Sequence, residues 1–235
     1  YHSGWEKTGI ERDSARNRKI RFELRKRMKV DREITVYEDE NGVLIQKYVD
    51  DYVDFSKEEV KRIVLDKCYR LHQTNDILDI QNDMINQHYI SLTEKVLRRI
   101  VSSANTVIKI KLKMEIVLNL LERIKYAPQI CHGDLLCTNI VGYKDDLFFI
   151  DWEYMAMGDA MFDVCRLLFS MKLNKSVNNK IIYKNVLQNI YATLRQDLDI
   201  YFKRKCSDEE YLHAVLVMLI FECRELYESS LLKGY

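Results

Sequence analysis

Apolar residues recur along this chain at two different periods, and each period predicts its own kind of element. Val60, Ile63, Val64, Cys68 and Leu71 are spaced as one face of a helix. Ser56-Lys57-Glu58-Glu59, a capping-box sequence, precedes them, so a helix is predicted that ends near Leu71-His72. Val96, Leu97 and Ile100, then Ile116, Val117, Leu120, Leu121 and Ile124, predict two core-facing helices between 91 and 125, broken around 102–106. Phe162 to Met171 is an apolar helical run. Ile182, Val186, Ile190, Leu194 and Leu198 predict a helix over 181–203, and a second capping box, Ser207-Asp208-Glu209-Glu210, opens a last helix reaching Leu231. Strand-like stretches are fewer. Ile34-Thr35-Val36-Tyr37 and Val43-Leu44-Ile45 flank Asn41-Gly42, which predicts a hairpin over 34–49. Ile140-Val141 and Leu147 to Ile150 flank the polar turn Lys144-Asp145-Asp146 and predict another.

Composition supports a helix-rich α+β chain. It holds one proline and seven glycines, too few for a turn-dense β-sandwich. The formal charge is +1, so bulk electrostatics points to neither nucleic acid nor membrane as a partner. A basic helix is predicted over 13–29, where Arg16, Arg18, Lys19, Arg21, Arg25, Lys26 and Arg27 cluster. Such a run is more often a solvated face than a phosphate-binding patch. No stretch is apolar enough to span a membrane, and no signal peptide is visible. The six cysteines form no Cys-x-x-Cys, which predicts free, buried thiols and a cytoplasmic protein.

The chemistry-bearing residues lie between Ile130 and Asp163. Ile130-Cys131 leads into a loop with His132, Gly133 and Asp134; Asn139 closes that loop just before the hairpin, and Asp151 ends the hairpin's second strand. A hairpin so placed brings Asp134, Asn139 and Asp151 to one end. Asn139 and Asp151 offer hard oxygen ligands suited to Mg²⁺, which takes few protein groups and leaves room for phosphate oxygens. Asp134 is left to act on a hydroxyl. That set fits phosphoryl transfer, in which a protein mainly positions, neutralises charge and supplies a base.

His132-Gly133-Asp134-Leu135 with Asn139-Ile140, then Ile150-Asp151-Trp152-Glu153-Tyr154, then Gly158-Asp159 and Phe162-Asp163, resembles the catalytic and metal-binding segments of the protein-kinase-like superfamily. The wording is similar to the choline/ethanolamine kinase and aminoglycoside phosphotransferase branch, and Asp151-Trp152-Glu153-Tyr154 leans to the bacterial choline kinases. The resemblance implies a two-lobe fold: an incomplete N-terminal lobe over 1–48 and a mostly helical C-terminal lobe over 49–235. It implies Asp134 as the base, Asn139 and Asp151 as Mg²⁺ ligands, and ATP as phosphoryl donor, with Tyr48 and Val49 at the adenine. It implies structural roles for His132, bonded to backbone near Asp151, and for Asp163, which ties down the loop through backbone N–H groups. Glu153 and Tyr154 fall on the acceptor side, and the last helix offers Tyr227.

The implied activity is transfer of the γ-phosphoryl group to a small-molecule alcohol, choline or ethanolamine ahead of an aminoglycoside. The alternative is an inactive, pseudokinase-like binding module. Two features depart from the pattern. The tryptophans that build a choline cage in the C-terminal helices are missing, since only Trp5 and Trp152 occur. No Gly-rich phosphate loop or strand lysine precedes Asn41-Gly42, which is expected either of a chain whose first strands lie upstream of Tyr1 or of a divergent member.

Overall fold

The computed structural model describes residues 35–38, 44–46, 49, 53–73, 116–117, 119–121, 123–143, 146–174 and 182–231. The chain forms two compact units, Tyr1–Val49 and Asp50–Tyr235. In the first, β1 (Thr35–Glu38) and β2 (Leu44–Gln46) pair antiparallel, with a register irregularity between Thr35 and Tyr37. The predicted Asn41-Gly42 turn, the basic helix over 13–29 and the helix around 91–100 lie outside the described residues.

The second unit begins with α1 (Glu58–His72). Its start differs from the predicted capping box: Lys57 is the N-cap and makes no side-chain cap, while the Ser56 N–H is taken by Asp54 Oδ1 at 2.9 Å. Its buried face is Val64, Leu65, Cys68, Leu71 and His72, so the predicted stripe is rotated and Ile63 faces outward at 47% exposure. Among the predicted core positions before residue 125, Val117 is buried with Leu121 and Ile124 packed beside it, but Ile116 and Leu120 are exposed.

Two short antiparallel pairs follow. β4 (Ile140–Tyr143) pairs with β5 (Asp146–Phe149) in the predicted hairpin, with Ile140 opposite Phe149. β3 (Gln129–Cys131) pairs with β6 (Ala156–Gly158), a match of distant segments that periodicity does not announce. Then come α2 (Ala160–Asn174), α3 (Ile182–Phe202) and α4 (Asp208–Leu231), close to the predicted spans. The predicted cap of α4 forms in full: Glu210 N–H donates to Ser207 Oγ at 3.1 Å and Ser207 N–H donates to Glu210 Oε2 at 2.7 Å.

α2 packs on α4, α1 on α3, and both α1 and α2 on β3. Val164, Cys165, Leu167 and Leu168 of α2 and Ala214, Val217 and Met218 of α4 are all buried, and the Cys165 thiol lies 3.5 Å from the Ala214 carbonyl. β3 thus lies against two helices that flank the start of the loop after it. The five described cysteines are all buried free thiols, as expected, and no described helix is long and apolar enough to cross a membrane.

Candidate active site

The loop after β3 is held from several directions. Asp163, in the first turn of α2 and 1% exposed, accepts the backbone N–H of His132 at 2.5 Å and of Gly133 at 3.0 Å. His72 Nε2 lies 3.3 Å from the same carboxylate, and His72 Nδ1 is 2.6 Å from the Tyr201 hydroxyl. Burial alone would push the Asp163 carboxyl up. The hydrogen bond and charge of His72, then His132 and its backbone N–H, outweigh it and hold the carboxyl below its usual value. A buried carboxylate is otherwise destabilising by several kcal/mol, so three donors are what let it stay charged here.

His132 is fully buried. Its Nε2 donates to the Ile150 carbonyl at 2.9 Å, and its Nδ1 accepts the Asp134 N–H at 3.4 Å. Burial lowers its pKa against the opposing pull of Asp163 and the Ile150 carbonyl, so the ring is neutral with the proton on Nε2. With both nitrogens engaged, this ring cannot serve as a base. Its face lies 4.5 Å from the Trp152 ring, and Trp152 Nε1 donates to the Phe149 carbonyl at 2.7 Å. Gly133 has φ +82, and a Cβ on it would come within 2.1 Å of the Tyr154 carbonyl oxygen. Only glycine fits there.

Asn139 closes the 3₁₀ turn Cys137–Asn139 and is 8% exposed. Its Nδ2 donates to the Asp134 carbonyl at 2.8 Å, so Oδ1 is the atom it can offer a ligand. Its carbonyl takes the Ile150 N–H at 2.9 Å. Asp151, the next residue, is exposed and sits in the left-handed region at φ 63, ψ 59. That conformation costs a non-glycine residue about 1–3 kcal/mol and is kept where the surroundings enforce it. Here it turns the chain from β5 into the 3₁₀ turn Trp152–Tyr154 while leaving the Ile150 carbonyl on His132.

The structure therefore brings Asp134, Asn139 and Asp151 to one mouth of the β4–β5 hairpin. Asn139 Oδ1 and the exposed Asp151 carboxylate make a sparse, hard donor set. It fits Mg²⁺, which keeps several waters and binds phosphate oxygens, better than it fits a closed all-protein cage.

Asp134 itself is gripped by a residue that the motifs do not join to it. Arg166 Nη2 forms an ion pair with Asp134 Oδ1, and the two side chains are 22% and 20% exposed. The guanidinium carbon lies 6.0 Å from the centre of the Phe221 ring on α4. Arg166 Nε is buried and has no hydrogen-bond partner among the described residues, a loss of about 1–3 kcal/mol. Ser170, one turn further along α2, accepts the Cys137 N–H at 3.0 Å. Asp163, Arg166 and Ser170 are spaced i, i+3, i+7, so one stripe of α2 lines the whole loop. Those three polar residues in an otherwise apolar run were the available signal. Cys131 and Cys137 flank the loop, but burial raises both thiols, Cys137 to about 11, and they are inert packing groups.

Of the other predicted residues, Tyr154 is 37% exposed beside Gly133. Glu153 lies in the 3₁₀ turn and Tyr227 on α4, but their side chains are outside the described residues. Tyr48 is also outside them, and Val49 is half-buried in the first unit.

A family model described as a phosphotransferase enzyme family matches residues 65–182, half of the chain, and spans the loop, the hairpin and α2. The chain belongs to this phosphotransferase family. Curated relatives align over spans of different length. The LicA homolog of Metamycoplasma hominis is 30% identical over 139 residues, 54% of this chain and 55% of that protein. Protein LicA of Haemophilus influenzae is 42% identical over 45 residues, 19% of this chain and 17% of its own length. The chain thus spans about half, or less, of the curated relatives it matches. Among solved structures, a choline/ethanolamine kinase family protein from Mesorhizobium loti superposes with a TM-score of 0.61 at 15% identity, over 92% of this chain and 72% of that one. The choline kinase LicA from Streptococcus pneumoniae gives 0.56 at 16%, over 92% and 73%. At such identities the likeness is one of fold, and it is the α+β, kinase-like fold the motifs imply.

Proposed function

We propose that this phosphotransferase moves the γ-phosphoryl group of ATP to the hydroxyl of a small amino alcohol, choline or ethanolamine. The observation that carries the proposal is the gathering of Asp134, Asn139 and Asp151 at one hairpin mouth, on a loop clamped by Asp163. Asp134 orients the acceptor hydroxyl and takes its proton as the oxygen attacks the γ-phosphorus and ADP departs. Asn139 and Asp151 would hold Mg²⁺, which when bound neutralises phosphate charge. His132 and Asp163 keep the loop in the geometry that presents Asp134, and Gly133 lets it pass under Tyr154. Tyr48 and Val49 would lie against adenine, and Glu153, Tyr154 and Tyr227 would face the acceptor.

The acceptor class is supported by the Asp151-Trp152-Glu153-Tyr154 wording and by relatives and fold neighbours named for choline or ethanolamine kinase activity or for LicA. A coupled ADP-release panel on the full-length protein tests it, with choline, ethanolamine, kanamycin and a simple sugar. Turnover with an amino alcohol is expected. Turnover with kanamycin alone would overturn the acceptor class, and ATP-dependent stabilisation without any turnover would favour the binding-module alternative.

A further inference from the structure

Asp134 is paired before any acceptor arrives. Its Oδ1 is held by Arg166 Nη2, from a helix whose Asp163, one turn earlier, holds the backbone of the same loop. An amino alcohol presents two groups to a carboxylate, a hydroxyl and a cationic nitrogen. A lone aspartate at the reaction centre would attract the nitrogen first, because opposite charges attract over several ångströms whereas a neutral hydroxyl engages only in hydrogen-bond contact. That complex would be held with the hydroxyl turned away from the phosphate.

Resting on the amino-alcohol reading above, we propose that Arg166 is a positioning and specificity-determining residue. It neutralises Asp134 and occupies Oδ1, which reserves Oδ2 for the acceptor hydroxyl and denies the base to the cationic nitrogen. The pair is net neutral, so a cationic acceptor meets no net repulsion while it stands. The packing supports a fixed post rather than a passing contact. Arg166 is braced by the Phe221 ring from α4, and its Nε stays buried without a partner among the described residues, a penalty tolerated with the fork turned to Asp134. The proton leaving the acceptor oxygen passes to Oδ2, the acceptor oxygen bonds to the γ-phosphorus, and the β–γ bridging oxygen leaves with ADP.

The test compares two acceptors of matched shape on the full-length protein with saturating Mg-ATP: choline, and its uncharged carbon analogue 3,3-dimethyl-1-butanol. In Arg166→Gln, misdirected binding of choline lowers kcat and KM together by about tenfold, the mark of a wrongly held ground-state complex. With the uncharged alcohol kcat falls, but KM stays within about twofold. Arg166→Lys, which keeps the charge and loses the fork, returns the choline KM toward that of the unaltered protein. Arg166→Met keeps an apolar stem of similar length and replaces the glutamine variant, with the same expected pattern, if that variant fails to melt cooperatively. A choline KM that is unchanged or raised, or equal effects on both acceptors, overturns the proposal. If the unaltered protein transfers phosphate to neither choline nor ethanolamine, the amino-alcohol reading fails first, before any variant is compared, and this inference falls with it.

Discussion

At the scale of single residues, the candidate site depends on groups that leave no room for alternatives. Gly133 is the sharpest case, with a positive φ and the Tyr154 carbonyl where a Cβ would stand. Gly133→Ala is therefore expected to lower stability by at least about 1–3 kcal/mol from backbone strain alone. The clash should add to that, read as a fall in the denaturant midpoint; an unchanged midpoint would mean the loop can move away from Tyr154. The motif residues Asp134, Asn139, Asp151, His132 and Asp163 were legible in the sequence because each must sit at a fixed place in a short, ordered segment. Arg166 was not. Its three-dimensional partner lies 32 residues away, and the polar stripe of Asp163, Arg166 and Ser170 does not by itself name that contact. The His72–Asp163–Tyr201 chain was hidden for the same reason, since its members come from three separate helices.

At the scale of elements, what the sequence specifies locally was legible, and what long-range packing decides was not. The cap of α4 is local and forms as predicted, so Ser207→Ala should cost about 0.5–2 kcal/mol. Ser56→Ala should cost little, because Ser56 caps nothing in α1 and only its backbone N–H is used. Thermal melts of the two variants side by side check this contrast, and equal losses would contradict the assigned caps. The same sequence signature thus gave one true cap and one miss. Asp54 supplies the competing acceptor at the second site, two residues before Ser56. The β3–β6 pairing was hidden because both strands are three residues long, too short to show a period. The rotation of the α1 stripe, with Ile63 out and Leu65 in, reflects which neighbours α1 meets.

At the scale of the whole molecule, buried titratable groups couple the loop to pH. His132 and Asp163 both have folded pKa values below their ordinary ones, 6.5 and 3.8. For each, the unfolded chain binds more protons in the window between the two values, so stability rises with pH across that window. The stabilisation is fully present above the ordinary value and is lost as pH falls toward the folded one. The melting temperature should therefore hold near neutrality, decline once pH drops below the imidazole range, and decline further below the carboxylate range. A melting temperature that rises on acidification from pH 7 to 5 would contradict the buried neutral His132.

The central claim is that Asp134 acts on the acceptor hydroxyl during phosphoryl transfer. The most direct measurement is the rate of γ-phosphoryl transfer from Mg-ATP to choline or ethanolamine, comparing the full-length protein with Asp134→Ala at matched melting temperature. The account predicts a fall in kcat of about 10²–10⁴-fold, the usual worth of a positioned base. A variant that retains transfer within about tenfold of the unaltered protein would contradict it.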